Sequence, residues 1–250
     1  METRKHIEAK RDDILLTAIA RNGPLSEAAQ RAILALPSAT RSFERGKPII
    51  EQQDHPSHCA LLVEGFAAGS QFTHAGRQYT SVRVPGDIMD VYGMALPRPD
   101  QDIVALTYCR VAYIPHAALA DAAERFAVVN RHIWYTLAME GLLQRAWIVS
   151  MGRRSASRRL AHLICELAVR LRAVGLADDK GFDFPIVQYE LADILGISAV
   201  HANRAVQGLR ALRLISWQKG QMVLPDLPAL MRFAEFDAEL FASASFEPIS

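Results

Sequence analysis

Residues 188–224 read QYELADILGISAVHANRAVQGLRALRLISWQKGQMVL, and this stretch decides the fold. Gln188 to Leu195 has the apolar spacing of one short helix. Gly196 follows, and a glycine just past a helix takes the left-handed turn at little cost. Ile197 anchors the turn. Ser198 is a good N-cap, because its hydroxyl can accept an orphan backbone N–H of the next helix. Ala199 to Arg213 forms that second helix. Leu191, Ala192, Leu195, Ile197, Ala202, Val206 and Leu209 can share one core, and the small Ala192 lets the two helices cross closely. Leu214 to Trp217 then reads as a strand, Lys219-Gly220-Gln221 as a tight turn and Met222 to Leu224 as the return strand. Helix, turn, helix and hairpin together make a winged helix.

Each part of that unit has a physical job on DNA. The N-terminal half of the second helix enters the major groove, where every base pair shows a distinct pattern of donors and acceptors. Ala199, Val200, His201, Asn203, Arg204 and Gln207 are the candidates there. Arg204 can make two hydrogen bonds to a guanine edge. Asn203 or Gln207 can pair with adenine, and His201 can donate to a base or a phosphate. Gln188, Ser198 and Lys219 are better placed for phosphates, which position the protein without specifying sequence. The competing reading of Arg204 is a surface ion pair.

Charge agrees with this reading. The chain has 250 residues and a net charge of +1, but the charge is uneven. Between Arg153 and Leu224 eleven Lys or Arg face six Asp or Glu, so this segment is basic and the remainder acidic. Such asymmetry suits a domain that meets a polyanion, although a solvated basic face would give the same count.

Working outward, Ser155 to Val174 is an amphipathic helix with Leu160, Leu163, Ile164, Leu167 and Leu171 inward. Gly175 to Pro185 reads as a loop, and Leu227 to Leu240 as one C-terminal helix packed on the wing or on a partner. Upstream, Ala117 to about Met151 reads as one long helix. Its residues Val129, Ile133, Leu137, Leu143 and Trp147 fall near a seven-residue stripe, which suits a two-stranded coiled coil between copies of the chain. Between Phe43 and Ile114, short apolar runs alternate with Gly, Pro, Asp and His. Ala60–Val63, Phe66–Phe72, Tyr79–Val84 and Ile103–Ile114 are the expected strands of a sandwich or jelly roll. Arg4 to Arg21 and Ser26 to Leu36 are helical by spacing.

The expected class is therefore α+β: an N-terminal jelly-roll β-roll, a long dimerisation helix and a C-terminal winged helix-turn-helix. The expected divisions are 1–116, 117–152 and 153–250. No apolar run reaches the roughly 18 residues of a membrane span, and the charged start lacks a signal-peptide pattern. A cytoplasmic protein without a membrane partner is expected. Cys59, Cys109 and Cys165 are scattered and odd in number, which argues for buried thiols and against a disulfide framework.

The order of parts resembles the Crp/Fnr family of bacterial transcription regulators, over about residues 14 to 225. Leu-Ala-Asp-Ile-Leu-Gly-Ile-Ser-Ala-Val-His-Ala-Asn-Arg, ending at Arg204, resembles the family's helix-turn-helix signature. Leu62-Val-Glu-Gly65 resembles its β-roll turn. Pro85-Gly-Asp87 resembles the start of its phosphate-binding cassette, and the segment from Arg154 to Leu163 resembles the helix after the dimer coil. The resemblance implies a homodimer on a near-palindromic site in double-stranded DNA, with a sensory β-roll and RNA polymerase as a candidate partner. It also shows departures. Cyclic-nucleotide binders carry a ribose-binding Glu soon after the cassette glycine and a later Arg-Ser/Thr-Ala. Here Gly86 is followed by Asp-Ile-Met-Asp-Val-Tyr, Arg98 stands between two prolines, and Asp100 and Asp102 would repel a phosphate. A cyclic nucleotide is not expected, and the effector is unknown. The cysteine cluster of the oxygen-sensing branch is absent. Val200 stands where many members have the Glu that contacts cytosine.

Two other classes compete with a DNA-binding regulator. One is a β-roll sensor or adaptor whose helical domain binds protein; removal of Arg204 and Lys219 would then leave DNA affinity unchanged. The other is a cupin-like metal-dependent enzyme using His55, His58 and His74, although cupin sites usually have His-x-His with a later Glu. No phosphate loop, nucleophile elbow or paired-carboxylate pattern occurs. No catalytic residue, metal or other cofactor is expected.

Overall fold

The computed structural model describes residues 4–74 and 76–241. Within these residues the chain divides into two compact units, one drawing on 4–67 and 83–140, the other on 68–82 and 141–241.

The first unit begins with α1 (Arg4–Ala20) and α2 (Glu27–Leu34), the latter capped by Ser26, whose hydroxyl accepts from Ala29 N. Next come β1 (Ala39–Phe43), β2 (Pro48–Ile50) and β3 (His58–Glu64). Three further strands of the unit are β6 (Ile88–Met89), β7 (Asp102–Ala105) and β8 (Cys109–Pro115); a single 3₁₀ turn lies at Val91–Met94. One four-stranded antiparallel sheet has the order β1-β8-β3-β6. Its register sets Phe43 opposite Cys109 and Leu62 opposite Val111. The run Cys59–Val63 is buried throughout, as expected of a central strand covered on both faces. β2 pairs with β7. Ile49, Ile50, Leu62, Met89, Ile103 and Val111 meet in the core between these strands. This is a β-roll.

One expected strand, Ile103–Ile114, is two. The chain turns at Leu106–Tyr108 because Phe66 engages it there. The amides of Leu106 and Thr107 both donate to Phe66 O, and Phe66 N donates to Thr107 Oγ1 at 2.8 Å. Gly65 makes that turn possible. Its φ is +90°, and a Cβ there would lie 2.1 Å from Tyr108 O.

The expected helix of residues 117–151 is also divided, into α3 (His116–Arg125) and α4 (Ala127–Arg153). Phe126 between them is extended, and its carbonyl receives the amides of Val129 and Asn130 and so starts α4. Neither glycine nor proline marks this break. On α4, Val129, Leu143 and Trp147 of the expected seam are buried within the single chain, whereas Trp134 and Ile148 are 67% and 66% exposed. Ile133 and Leu137 of the expected seam are half-buried.

In the second unit, β4 (Ala67–Thr73) and β5 (Gly76–Arg83) are neighbouring strands. α5 (Ala156–Arg172) is capped by Ser155 and buries Leu160, Leu163, Ile164, Leu167 and Leu171, the face expected from spacing. The segment 175–185 is not all loop: β9 (Gly181–Asp183) pairs with the wing. The C-terminal segment splits at Glu235, which adopts φ +53°, into α8 (Leu227–Ala234) and α9 (Ala238–Phe241). It packs on α5, where Phe236 lies edge-on to His162 at 5.0 Å. Burial pushes the His162 imidazole down to about 4, and the positive charge of Arg154 is the smaller cause.

Candidate nucleic-acid interface

α6 (Gln188–Leu195) and α7 (Ala199–Ala211) form the helix pair, and β10 (Ser216–Gln218) with β11 (Gln221–Val223) forms the wing. Gly196 joins the helices at φ +62°, ψ +39°. Leu191, Ala192, Leu195, Ala202, Val206 and Leu209 are buried together as expected; Ile197 is half-buried and donates its amide to Ala192 O at 3.1 Å.

Two side chains that the sequence reading missed bond carbonyls in the last turn of α6, where Asp193 O also receives the amide of Gly196 at 3.3 Å. Arg159 of α5 donates to Leu195 O, and Gln78 of β5 donates to Asp193 O at 3.1 Å. Arg77 adds an ion pair to the Asp193 carboxylate at 3.1 Å. Gln144 and Arg170 donate to Thr80 O and Val82 O of the same strand. The accepting carbonyls alternate along β5, as one edge of a strand must. An isolated Gln or Arg gives no sequence signal for such a role.

Ser198 caps α7 as expected. Its Oγ accepts from His201 N at 3.3 Å and lies 2.7 Å from His201 Nδ1. The hydroxyl hydrogen can then point to Nδ1, leaving Nε2 as the outward donor of the neutral ring. This occupies Ser198 locally, so its use on a phosphate would require giving up the His201 ring.

Ala199, Val200, His201, Asn203, Arg204 and Gln207 are all exposed, on the face of α7 opposite buried Ala202, Ala205, Val206 and Leu209. Gln207 Nε2 donates weakly to Asn203 Oδ1 at 3.4 Å, one helical turn away. Among the described residues Arg204 has no carboxylate partner.

Lys219 and Gly220 both have positive φ, +50° and +76°, and Gln218 faces Gln221 across them. This is the primed turn that matches the strand twist. It holds exposed Lys219 at the wing tip, and an open groove lined by Val187, Gln188, Trp217 and Lys219 runs beside it. Trp217 is fixed by donating to Phe184 O at 3.1 Å.

Two family models match this chain. The Crp-like helix-turn-helix domain covers residues 158–233, and the cyclic nucleotide-binding domain covers residues 40–126. The chain belongs to the Crp/Fnr family. This Crp/Fnr protein is 24% identical to the transcriptional activator protein FnrL of Cereibacter sphaeroides over 204 residues, 80% of this chain and 82% of that one. It is 29% identical to a probable transcriptional activator of Rhizobium leguminosarum bv. viciae over 198 residues, 78% of this chain and 81% of that one. Its fold is similar to FixK2 of Bradyrhizobium japonicum, with a TM-score of 0.69 and 21% identity over 79% of this chain and 98% of that one. The protein is thus a DNA-binding transcription regulator of Crp/Fnr type.

The cassette of this Crp/Fnr regulator departs from a phosphate site. Gly86 and Asp87 are used locally: Gly86 N donates to Leu62 O, and Asp87 Oδ2 accepts from Val84 N at 2.9 Å. Arg98 is exposed. The buried guanidinium of the region is Arg83, and Glu140 already pairs with it. Asp90 is buried at φ +60°, and neither carboxylate oxygen has a partner among the described residues. Burial, followed by the negative charges of Asp100, Glu140 and Asp54, pushes this carboxyl up to about 7.

The histidines considered for a metal do not converge. His55 Nδ1 meets Pro97 O at 3.0 Å, and His58 Nδ1 meets Ser57 Oγ at 2.9 Å. Among the described residues no three His, Cys, Asp or Glu gather in a metal-binding group. Cys59, Cys109 and Cys165 are buried free thiols, and burial raises all three. No helix of the described residues is long and apolar enough to cross a membrane.

Proposed function

We propose that this regulator binds a near-palindromic DNA site as a homodimer and regulates transcription in the bacterial cytoplasm, without enzymatic activity. In this reading α7 enters the major groove. Arg204 reads a guanine edge, Asn203 or Gln207 an adenine, and His201 donates from Nε2. Ala199 lies against the groove, while Gln188 and Lys219 meet phosphates, and Ser198 does so on giving up the His201 ring. The observation that carries it is the exposed face of α7, with Arg204 unpaired among the described residues, beside a wing whose primed turn presents Lys219.

Dimerisation is supported by the outward stripe of Trp134 and Ile148 on the 27-residue helix α4. An exposed large aromatic and an exposed isoleucine fourteen residues apart repeat at twice the heptad. The division into a β-roll region (1–116), a dimer helix (117–152) and a DNA-binding region (153–250) follows from this use. RNA polymerase is the partner that transcription regulation implies.

The effector of the β-roll is unknown, and a cyclic nucleotide is not expected. An exposed Arg98, a paired Arg83 and an unpaired buried Asp90 offer no counter-charge for a cyclic phosphate. Calorimetric titration with cAMP should give no heat of binding at micromolar nucleotide; saturable binding there would overturn this part.

The test of DNA recognition is selection of genomic fragments by the purified, ligand-free protein at fixed salt. Enrichment of one palindromic sequence supports the reading. A protein-binding helical domain would enrich nothing, with or without Arg204 and Lys219.

A further inference from the structure

Val200 has no polar atom to offer DNA, yet it occupies the first turn of α7, two residues past the Ser198 cap. It is 60% exposed, the largest exposure of any large apolar residue in the helix-turn-helix pair. It shares its face with Asn203, Arg204 and Gln207, at the one-turn and two-turn spacings of a helix. The core of the pair does not use it: Ala202, Ala205, Val206 and Leu209 fill the opposite face. A β-branched residue in a helix is nearly fixed at χ1. The two methyl groups therefore stand in one arrangement beside the polar side chains.

Among the groups lining the major groove, one is apolar: the C5 methyl of thymine. Set against any other base edge, an isopropyl group would displace water from a donor or acceptor and return no hydrogen bond. Against a thymine methyl, both surfaces leave water together. Resting on the DNA-binding reading above, we propose that Val200 reads the C5 methyl of one thymine in each half-site, so that the position selects thymine by apolar contact. Arg204 and the Asn203–Gln207 pair then read neighbouring base pairs by hydrogen bonds, one and two turns further along α7.

The experiment replaces thymine by deoxyuridine, one position at a time, in the site obtained by genomic selection. The change removes only the methyl and leaves base pairing and all groove donors and acceptors intact. Wild-type protein should lose about fourfold in affinity at one symmetric thymine per half-site, the value of one methyl group withdrawn from water. Val200→Ala should bind the thymine and deoxyuridine sites equally, and Val200→Ile should keep the discrimination. Because Val200 is exposed, both variants retain the fold, which circular dichroism checks. The proposal is overturned if no thymine shows the loss, or if Val200→Ala still discriminates. Failure to select any site would overturn the DNA-binding reading itself, an outcome distinct from a bound site without methyl dependence.

Discussion

Glu166, buried in the middle of α5, holds Trp147 of α4 through a 2.9 Å hydrogen bond from the indole Nε1 to Oε2. Its other oxygen receives Arg170 Nη1 at 2.7 Å, and that same nitrogen donates to Val82 O. One carboxylate thus joins the end of the long helix, the first helix of the DNA-binding region and strand β5. Trp147→Phe keeps the ring packing but removes a donor from a buried acceptor. It should lower stability by about 1–3 kcal/mol. Glu166→Ala leaves Arg170 charged and buried, and should cost about 3–5 kcal/mol. Urea unfolding followed by far-UV circular dichroism measures both; equal stability of Glu166→Ala and wild type would contradict the arrangement.

Asp90 gives a pH dependence whose sign is fixed. Its native carboxyl titrates near 7, against 3.8 for the unperturbed group, so the folded state holds the proton more tightly than the unfolded chain. The contribution is fully present below about pH 4 and is lost as pH rises through 7. Asp90→Asn keeps a residue type that tolerates the left-handed backbone at φ +60° and removes the titration. The melting temperature of the variant should match wild type below about pH 4 and exceed it by a margin that grows from pH 4 to about 7 and then stays constant to pH 8. A difference that does not change with pH would contradict this.

Arg204 and Lys219 should separate by the kind of affinity they supply. Arg204→Ala should weaken the selected site by about 1–3 kcal/mol and relax the sequence preference. Lys219→Ala should weaken all DNA alike and reduce the slope of log K against log salt by about one per protomer. Fluorescence anisotropy over a salt series, with selected and scrambled duplexes, distinguishes the two.

Trp134 and Ile148 should hold the dimer. Replacing both by glutamate puts charge on the exposed stripe of α4 and leaves the buried Val129, Leu143 and Trp147 untouched. Sedimentation equilibrium should show a folded monomer. A variant that remains dimeric would place the seam elsewhere.

The winged helix was legible almost residue by residue, because local chemistry fixes it: Gly196 for the turn, Ser198 for the cap, Lys219-Gly220 for the wing. The β-roll was legible as a texture and less well in its strands. β1 and β2 escaped because exposed Ala39–Ser42 and the three residues Pro48–Ile50 carry no alternating pattern. The break at Phe126 was hidden, since an extended phenylalanine between two helices leaves no glycine or proline behind. That Val129, Leu143 and Trp147 of the expected α4 seam are buried within the chain was hidden for a related reason. Apolar spacing cannot tell a face that buries Trp147 against Glu166 from one that awaits a second chain. Gln78 and Arg159 were invisible because their roles depend on carbonyls distant in sequence.

DNA recognition by a dimer is tested most directly by footprinting the purified protein on its selected site together with the mass of the complex. Two chains per duplex, protecting two half-sites centred about 34 Å apart, one helical turn, is the predicted result. One chain per duplex, or protection that ignores sequence, would contradict it.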